Sequence, residues 1–313
     1  MIFLFQIVCV LALVSCGYFA RRGGLITAQG TTDLARICIA IIYPALIFVS
    51  MTQLSLAELR ANYSLPLLAM VIAISGFLLG LLAARILGDV HPATTRAFLF
   101  HCLINNYLFL PLPLVLFRFG EKGVALLVFS SVGYEVLLWS LGVVLFTTDL
   151  SGWQRIKSLL SPPFVTLITA LLFVVLRDLF TWPAPPGWLA LAWQTVRSGM
   201  HAVGQATIAF SMLVAGSRFA VMKHEVMLGW RVWLVSFIRL VAVPLIMIPV
   251  LGLIPMDETA RGLLTIVAVM PAAMASVLFS ERFGGDTDFI AGGLLLTHLW
   301  ALVTVPLFLA WAL

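Results

Sequence analysis

The sequence predicts an all-α integral membrane protein of about ten transmembrane helices, arranged as two inverted five-helix repeats over residues 1–150 and 151–313. Three observations carry this reading. The 313 residues are 62% hydrophobic and 10% charged, with a mean hydropathy of +1.13, far from soluble-globular values. About ten apolar runs are long enough to span a bilayer. Two of these runs, one in each half, interrupt themselves in the middle.

The runs cover residues 2–20, 32–53, 64–87, 93–117, 123–147, 162–181, 192–216, 231–252, 259–282 and 289–311. Little chain is left over for a soluble domain. The first run ends in Leu13-Val14-Ser15-Cys16-Gly17, which has the form of a lipoprotein cleavage site. No Lys or Arg precedes it, so it reads as a first membrane helix rather than a signal peptide. Cys9, Cys16, Cys38 and Cys102 fall inside apolar runs without metal-ligand spacing and read as packing residues. No metal site and no catalytic constellation is expected.

The net charge of +5 comes from basic residues scattered among loops, which excludes a nucleic-acid surface. Their distribution sets orientation instead. Arg21, Arg22, Arg85, Arg96, Arg155, Lys157, Arg218 and Lys223 fall on one side, whereas Arg60, Arg118, Lys122, Arg177 and Arg261 fall on the other. The richer side is placed in the cytoplasm and both termini outside. The segment Asp149 to Lys157 would join the repeats, with Trp153 as an interfacial anchor.

The fourth run carries Asn105, Asn106, Pro111 and Pro113, and the ninth carries Pro271. Lipid offers no hydrogen-bond partners, so a broken membrane helix survives only where protein or a water-filled cavity covers the break. Paired breaks in corresponding places are the sequence signature of a secondary transporter's binding site. Val115-Leu116-Phe117-Arg118-Phe119-Gly120 also has an echo in Val277-Leu278-Phe279-Ser280-Glu281-Arg282-Phe283-Gly284, and each follows a break. Because each half has an odd number of helices, the second copy must insert upside down. The half-helices that begin near Pro113 and Pro271 would aim partial positive charge at an anion. Asn105 and Asn106 would satisfy freed backbone groups or touch the substrate.

Order and spacing over nearly the whole chain resemble the auxin efflux carrier (PIN-like) family, within the bile acid/sodium symporter-like superfamily. The resemblance rests on Gly17-Tyr18 with Arg21-Arg22, on Tyr43-Pro44-Ala45-Leu46-Ile47-Phe48, and on Asn106-Tyr107-Leu108-Phe109-Leu110-Pro111-Leu112-Pro113. It continues through Phe119-Gly120-Glu121-Lys122-Gly123, Pro271 to Gly284, and Thr304-Val305-Pro306. The chain departs from the family where Leu108 and Pro111 replace crossover glycines, and where His298 and Ala301 replace small or hydroxyl residues. The resemblance implies that broken helices 4 and 9 cross within a mobile transport bundle. Helices 1, 2, 6 and 7 would form a scaffold, often dimeric. The expected cargo is a small organic anion, a carboxylate such as malate, malonate or an auxin-like acid. It would cross a bacterial inner membrane by an elevator-type motion.

Among the remaining polar residues, Glu135 lies about twelve residues into its run, roughly 18 Å along a helix, near mid-bilayer. A charge there costs about 2.5 kcal/mol or more, so it faces a cavity or a partner. His298 occupies nearly the equivalent place in the second repeat, and the two are proton-coupling candidates. A sodium-coupled symporter of the bile-acid type is the alternative, with Asn105, Asn106, Ser130, Ser131, Glu135, Ser276 and Thr297 as oxygen donors. His201 and Gln205 share a helix face and are candidates to line the substrate path. Arg239, eight residues into its run, is expected to snorkel to the interface rather than attract anions. A membrane-embedded enzyme or a sensor would need a nucleophile or a signalling domain, and the chain offers neither. No Gly-rich phosphate loop is present, so no cofactor is expected beyond coupling protons or, second, sodium.

Overall fold

The computed structural model describes residues 2–87, 92–146, 161–180, 186–221, 229–274, 276–283 and 285–313. The expected repeat junction, with Trp153, lies outside them. The described chain is helical, with one isolated β-bridge. Its elements are α1 (Ile2–Arg22), α2 (Ala28–Ile37), α3 (Tyr43–Gln53), α4 (Leu56–Ala61), α5 (Ser64–Leu87), α6 (Pro92–Leu103), α7 (Pro111–Leu137) and α8 (Val143–Phe146). They continue with α9 (Pro162–Leu179), α10 (Gly187–Phe219), α11 (Trp230–Phe237), α12 (Val243–Leu253), α13 (Glu258–Ala268), α14 (Ser276–Phe283) and α15 (Thr287–Ala312). Among the described residues, six helical stretches are long and apolar enough to cross a membrane, one of them running through a kink at Gly120. The two interrupted runs give only short pieces: α6 has 12 residues, α13 has 11 and α14 has 8. Each piece is too short to span alone.

Three stretches widen into π-turns: Cys38–Ile42, Leu138–Gly142 and Ile238–Ala242. Two of them have a proline just beyond, Pro44 and Pro244. A proline lacks an N–H, and its ring clashes with the carbonyl four residues back. The helix widens to accommodate it, and the N–H groups of Tyr43 and Val243 reach five residues back to the carbonyls of Cys38 and Ile238. The second of these turns carries Arg239, which has no exposed surface. The snorkelling expectation is therefore wrong. Arg239 points into the protein, where Nη1 donates to the Cys102 carbonyl at 3.3 Å.

The helices pack as two sets that meet directly through α3 and α7. In one, α1 packs on α10, and α3 packs on α9 and α10. In the other, α5 packs on α6 and α7, α11 on α15, and α13 on α7 and α12. The α1–α10 contact is backbone against backbone. A Cβ on Gly216 would lie 1.8 Å from the Val14 carbonyl oxygen, and one on Gly17 would lie 2.2 Å from that of Leu213. Small residues are how membrane helices approach this closely. Gly216→Ala is therefore expected to force the pair apart and to cost on the order of 3 kcal/mol. A lower melting temperature and a loss of monodisperse protein in detergent would show it; an unchanged melting curve would refute the contact. Cys38 and Cys102 are buried as expected, but Cys16 is exposed.

Helix α4 is closed by a capping box. Ser55 Oγ accepts from the Glu58 N–H at 3.1 Å, and the Ser55 N–H donates to Glu58 at 2.9 Å. The Lys122 ammonium lies 2.9 Å from the same carboxylate. That ion pair and the Ser55 N–H hold the Glu58 pKa down at about 2. A lowered folded-state pKa contributes stability above the unfolded value of about 4.3, and this is lost as pH falls toward about 2. Because the pair is largely solvated, the effect is small. Melting temperatures of wild type and Glu58→Gln, compared at pH 6 and pH 3, should converge at the lower pH. A constant gap would refute the assignment.

Candidate functional site

The two interrupted runs meet. Residues 104–110 leave the helical path between α6 and α7, and the segment from Val269 leaves it between α13 and α14. They pair antiparallel through a bridge between Asn105 and Ala272. The Asn106 N–H donates to the Pro271 carbonyl at 2.7 Å, and the Ala273 N–H donates to the Ile104 carbonyl at 3.3 Å. The Ala272 N–H donates to Thr297 Oγ1 on α15 at 3.3 Å. Each unwound segment thus satisfies backbone groups of the other, which is what burial in an apolar interior demands.

The two asparagines cap different helices. Asn105 Nδ2 donates to the Val267 carbonyl at 2.6 Å, closing the C-terminal end of α13. Asn106 Oδ1 accepts from the Leu110 N–H at 3.1 Å, closing the N-terminal end of α7. Their remaining polar atoms, Asn105 Oδ1 and Asn106 Nδ2, are buried without a hydrogen-bond partner, as is Ser276 Oγ. The expected half-helix starts need one correction. Pro111 and Pro113 both lie in the first turn of α7, where no intrahelical N–H is required, so they start the helix. Pro271 lies in the unwound segment itself, and the helix after it starts at Ser276. Beyond α7's first turns, Gly120 adopts φ 64° and ψ −164°, a conformation that favours glycine, and turns the chain into the following stretch.

Glu135 is 5% exposed, and both of its oxygens are occupied. Oε1 accepts from the Tyr107 hydroxyl at 2.9 Å, and Oε2 accepts from Trp139 Nε1 at 2.9 Å. Tyr107 belongs to the unwound segment, and its ring stacks on Tyr134 at 4.6 Å. Glu135 is thereby tied to the break itself. His298 is elsewhere: Nδ1 lies 2.8 Å from the Leu294 carbonyl, the ring packs on Phe219, and Nε2 has no partner. Glu135 and His298 share no hydrogen bond, although they hold nearly equivalent places in the two repeats. Gln205 also sits apart from the bridge. It donates to Glu121 at 3.0 Å and lies 3.3 Å from His201. Of the serines offered as oxygen donors, Ser130 and Ser131 donate to carbonyls of their own helix.

Two cavities flank the unwound segments where they face α1, α2 and α10. The larger, about 170 Å³, is bounded by Val14, Leu110, Leu114, Phe219, Met270 and His298, among others. His298 is the one side chain with a polar group on its wall. The smaller, about 40 Å³, touches Phe109, Met274, Ser211 and Arg218. Among the described residues no cluster of His, Cys, Asp or Glu could hold a metal ion.

The sequence profile of the family described as membrane transport protein matches residues 2–155 and again 150–309. The chain belongs to that family. The transporter is also similar over its full length to two curated archaeal proteins. One, an uncharacterized transporter of Methanothermobacter thermautotrophicus, is 26% identical over 302 residues, 95% of this chain and 94% of the relative. The other, an uncharacterized transporter of Methanocaldococcus jannaschii, is 22% identical over 304 residues, 95% of each chain. This is a multi-pass membrane transporter of the family the sequence resembles, and not an enzyme. Sequence reasoning missed Tyr107 and Trp139 as the donors to Glu135, and Tyr134 as the ring stacked on Tyr107. Trp139 had a usable signal, since it lies one helical turn beyond Glu135.

Proposed function

We propose that this chain is a secondary transporter for a small organic anion. In this reading the chain makes ten spans in two inverted repeats, 1–150 and 151–313, with the broken spans as the fourth and ninth. The observation that carries it is the buried pairing of the two unwound segments, with orphaned polar atoms beside it. The N-terminal end of α7 lies beside that pairing and brings a partial positive charge to it, although Pro111 and Pro113 carry no N–H and that of Leu112 is given to the Leu108 carbonyl. The α1–α3, α9 and α10 group would act as scaffold, and the remaining helices as the moving bundle. The larger cavity lies between these groups, and its apolar wall favours a monocarboxylate with an apolar body over malate or malonate.

Proton coupling would run through Glu135. A proton on its carboxylate weakens the bond from Tyr107 and loosens the segment that carries Asn105 and Asn106. His298, on the cavity wall, would contact substrate. Orientation with both termini outside a bacterial inner membrane follows the positive-inside count. A scaffold dimer is the expected assembly. The test is current evoked by mono- and dicarboxylates from proteoliposomes on a solid-supported membrane, at several pH values with and without sodium. A saturable current from one acid class without sodium supports the reading. A current that requires sodium would favour the bile-acid-type symporter, and electrical silence together with no uptake of labelled acid would refute an organic-anion cargo.

A further inference from the structure

Arg239 is wholly buried, and one edge of its guanidinium is unused. Nη1 is spent on the Cys102 carbonyl, whereas Nε and Nη2 have no hydrogen-bond partner. Nε and Nη2 are the two donors that point in parallel along one side of the planar group, the fork that fits both oxygens of a carboxylate. No carboxylate of the protein forms an ion pair with it among the described residues. The buried Tyr134 hydroxyl is a polar neighbour of both the guanidinium and Asn105. Space for the guanidinium is kept by Gly76, where a Cβ would fall 2.7 Å from Nη1 and 2.2 Å from the Cys102 oxygen. A cation held this way, in a span, without a counter-charge, is costly to the fold and marks an anion path.

We propose that Arg239 is a carboxylate-binding residue of the transporter, gripping both oxygens of an organic acid through Nε and Nη2, with Tyr134 donating a third bond. The proposal rests on the organic-anion reading above and adds the residue that supplies the full positive charge. Cys102 is the penultimate residue of α6, in its last turn, so the fork lies at the entrance to the unwound segment. Tyr107, stacked on Tyr134, joins this fork to Glu135.

The test is equilibrium binding of benzoate, with benzamide as its uncharged isostere, to wild type, Arg239→Lys, Arg239→Met and Tyr134→Phe in lipid nanodiscs. Benzoate should bind saturably to wild type and benzamide should not. Arg239→Lys keeps the charge but loses the fork, and should weaken benzoate about tenfold. Arg239→Met should abolish binding, and Tyr134→Phe should weaken it several-fold. If Arg239→Met does not fold, the lysine variant decides. Equal benzoate affinity in wild type and the folded Arg239 variants would overturn the proposal, and so would wild type that binds both probes alike or neither. Acid-evoked current with affinity unchanged in the variants removes this inference alone. Arg239-dependent binding without transport of any acid removes the organic-anion cargo alone.

Discussion

Asn105→Leu is expected to cut transport on the order of tenfold or more while leaving an inserted protein. The amide of Asn105 closes α13 through Val267 while its backbone pairs with Ala272. Leucine keeps the volume and loses the bond. A hydrogen bond lost from a buried pair costs about 1–3 kcal/mol, and each 1.4 kcal/mol is about tenfold in an equilibrium. The population with the two unwound segments in register should therefore fall on the order of tenfold or more. Uptake of labelled acid into proteoliposomes should drop at least as far, with the melting temperature only modestly lower. Wild-type uptake by Asn105→Leu would show that this contact does not hold the site together.

Glu135→Gln is expected to leave transport running but to flatten its dependence on pH. The variant is nearly isosteric: its amide oxygen accepts from Trp139, and its amide nitrogen donates to the Tyr107 hydroxyl, which can accept in turn. What it loses is the ability to take up a proton. Glu135→Leu is the harsher change, because it leaves the Tyr107 hydroxyl and the Trp139 N–H buried without an acceptor, at about 1–3 kcal/mol each. Initial rates from pH 5 to pH 8 separate the cases. If Glu135→Gln keeps the wild-type pH profile, Glu135 carries no coupling proton.

The breaks were legible because they depend on local chemistry. Proline and asparagine within an apolar run mark a helix that cannot continue, whatever it packs against. Glu135 was legible for the same reason, since a carboxylate so deep in a run has few uses. Its partner was not. The inverted-repeat count pointed to His298, but the local i, i+4 neighbour Trp139 and the adjacent unwound segment supply the actual donors. Arg239 was misread because depth along a straight helix was taken as its position. The π-turn before Pro244 rotates that residue inward, and Gly76 on another helix makes the space. Neither effect is written in the spacing of the run that contains it. Gln205 was placed on the right helix face, yet the Gly120 turn brings Glu121 there first.

The two backbone bonds that form the bridge between the unwound segments act as a staple between parts of the chain about 165 residues apart. Neither segment can travel without the other, because parting them would strand buried N–H and C=O groups in an interior that offers no replacement. A hinge that opened by peeling the two halves apart would have to break the staple first. Carrying the whole stapled piece past a fixed wall breaks nothing in it. Spin labels placed on the two segments should therefore keep their separation through a transport cycle, while labels on one segment and on α10 should change theirs.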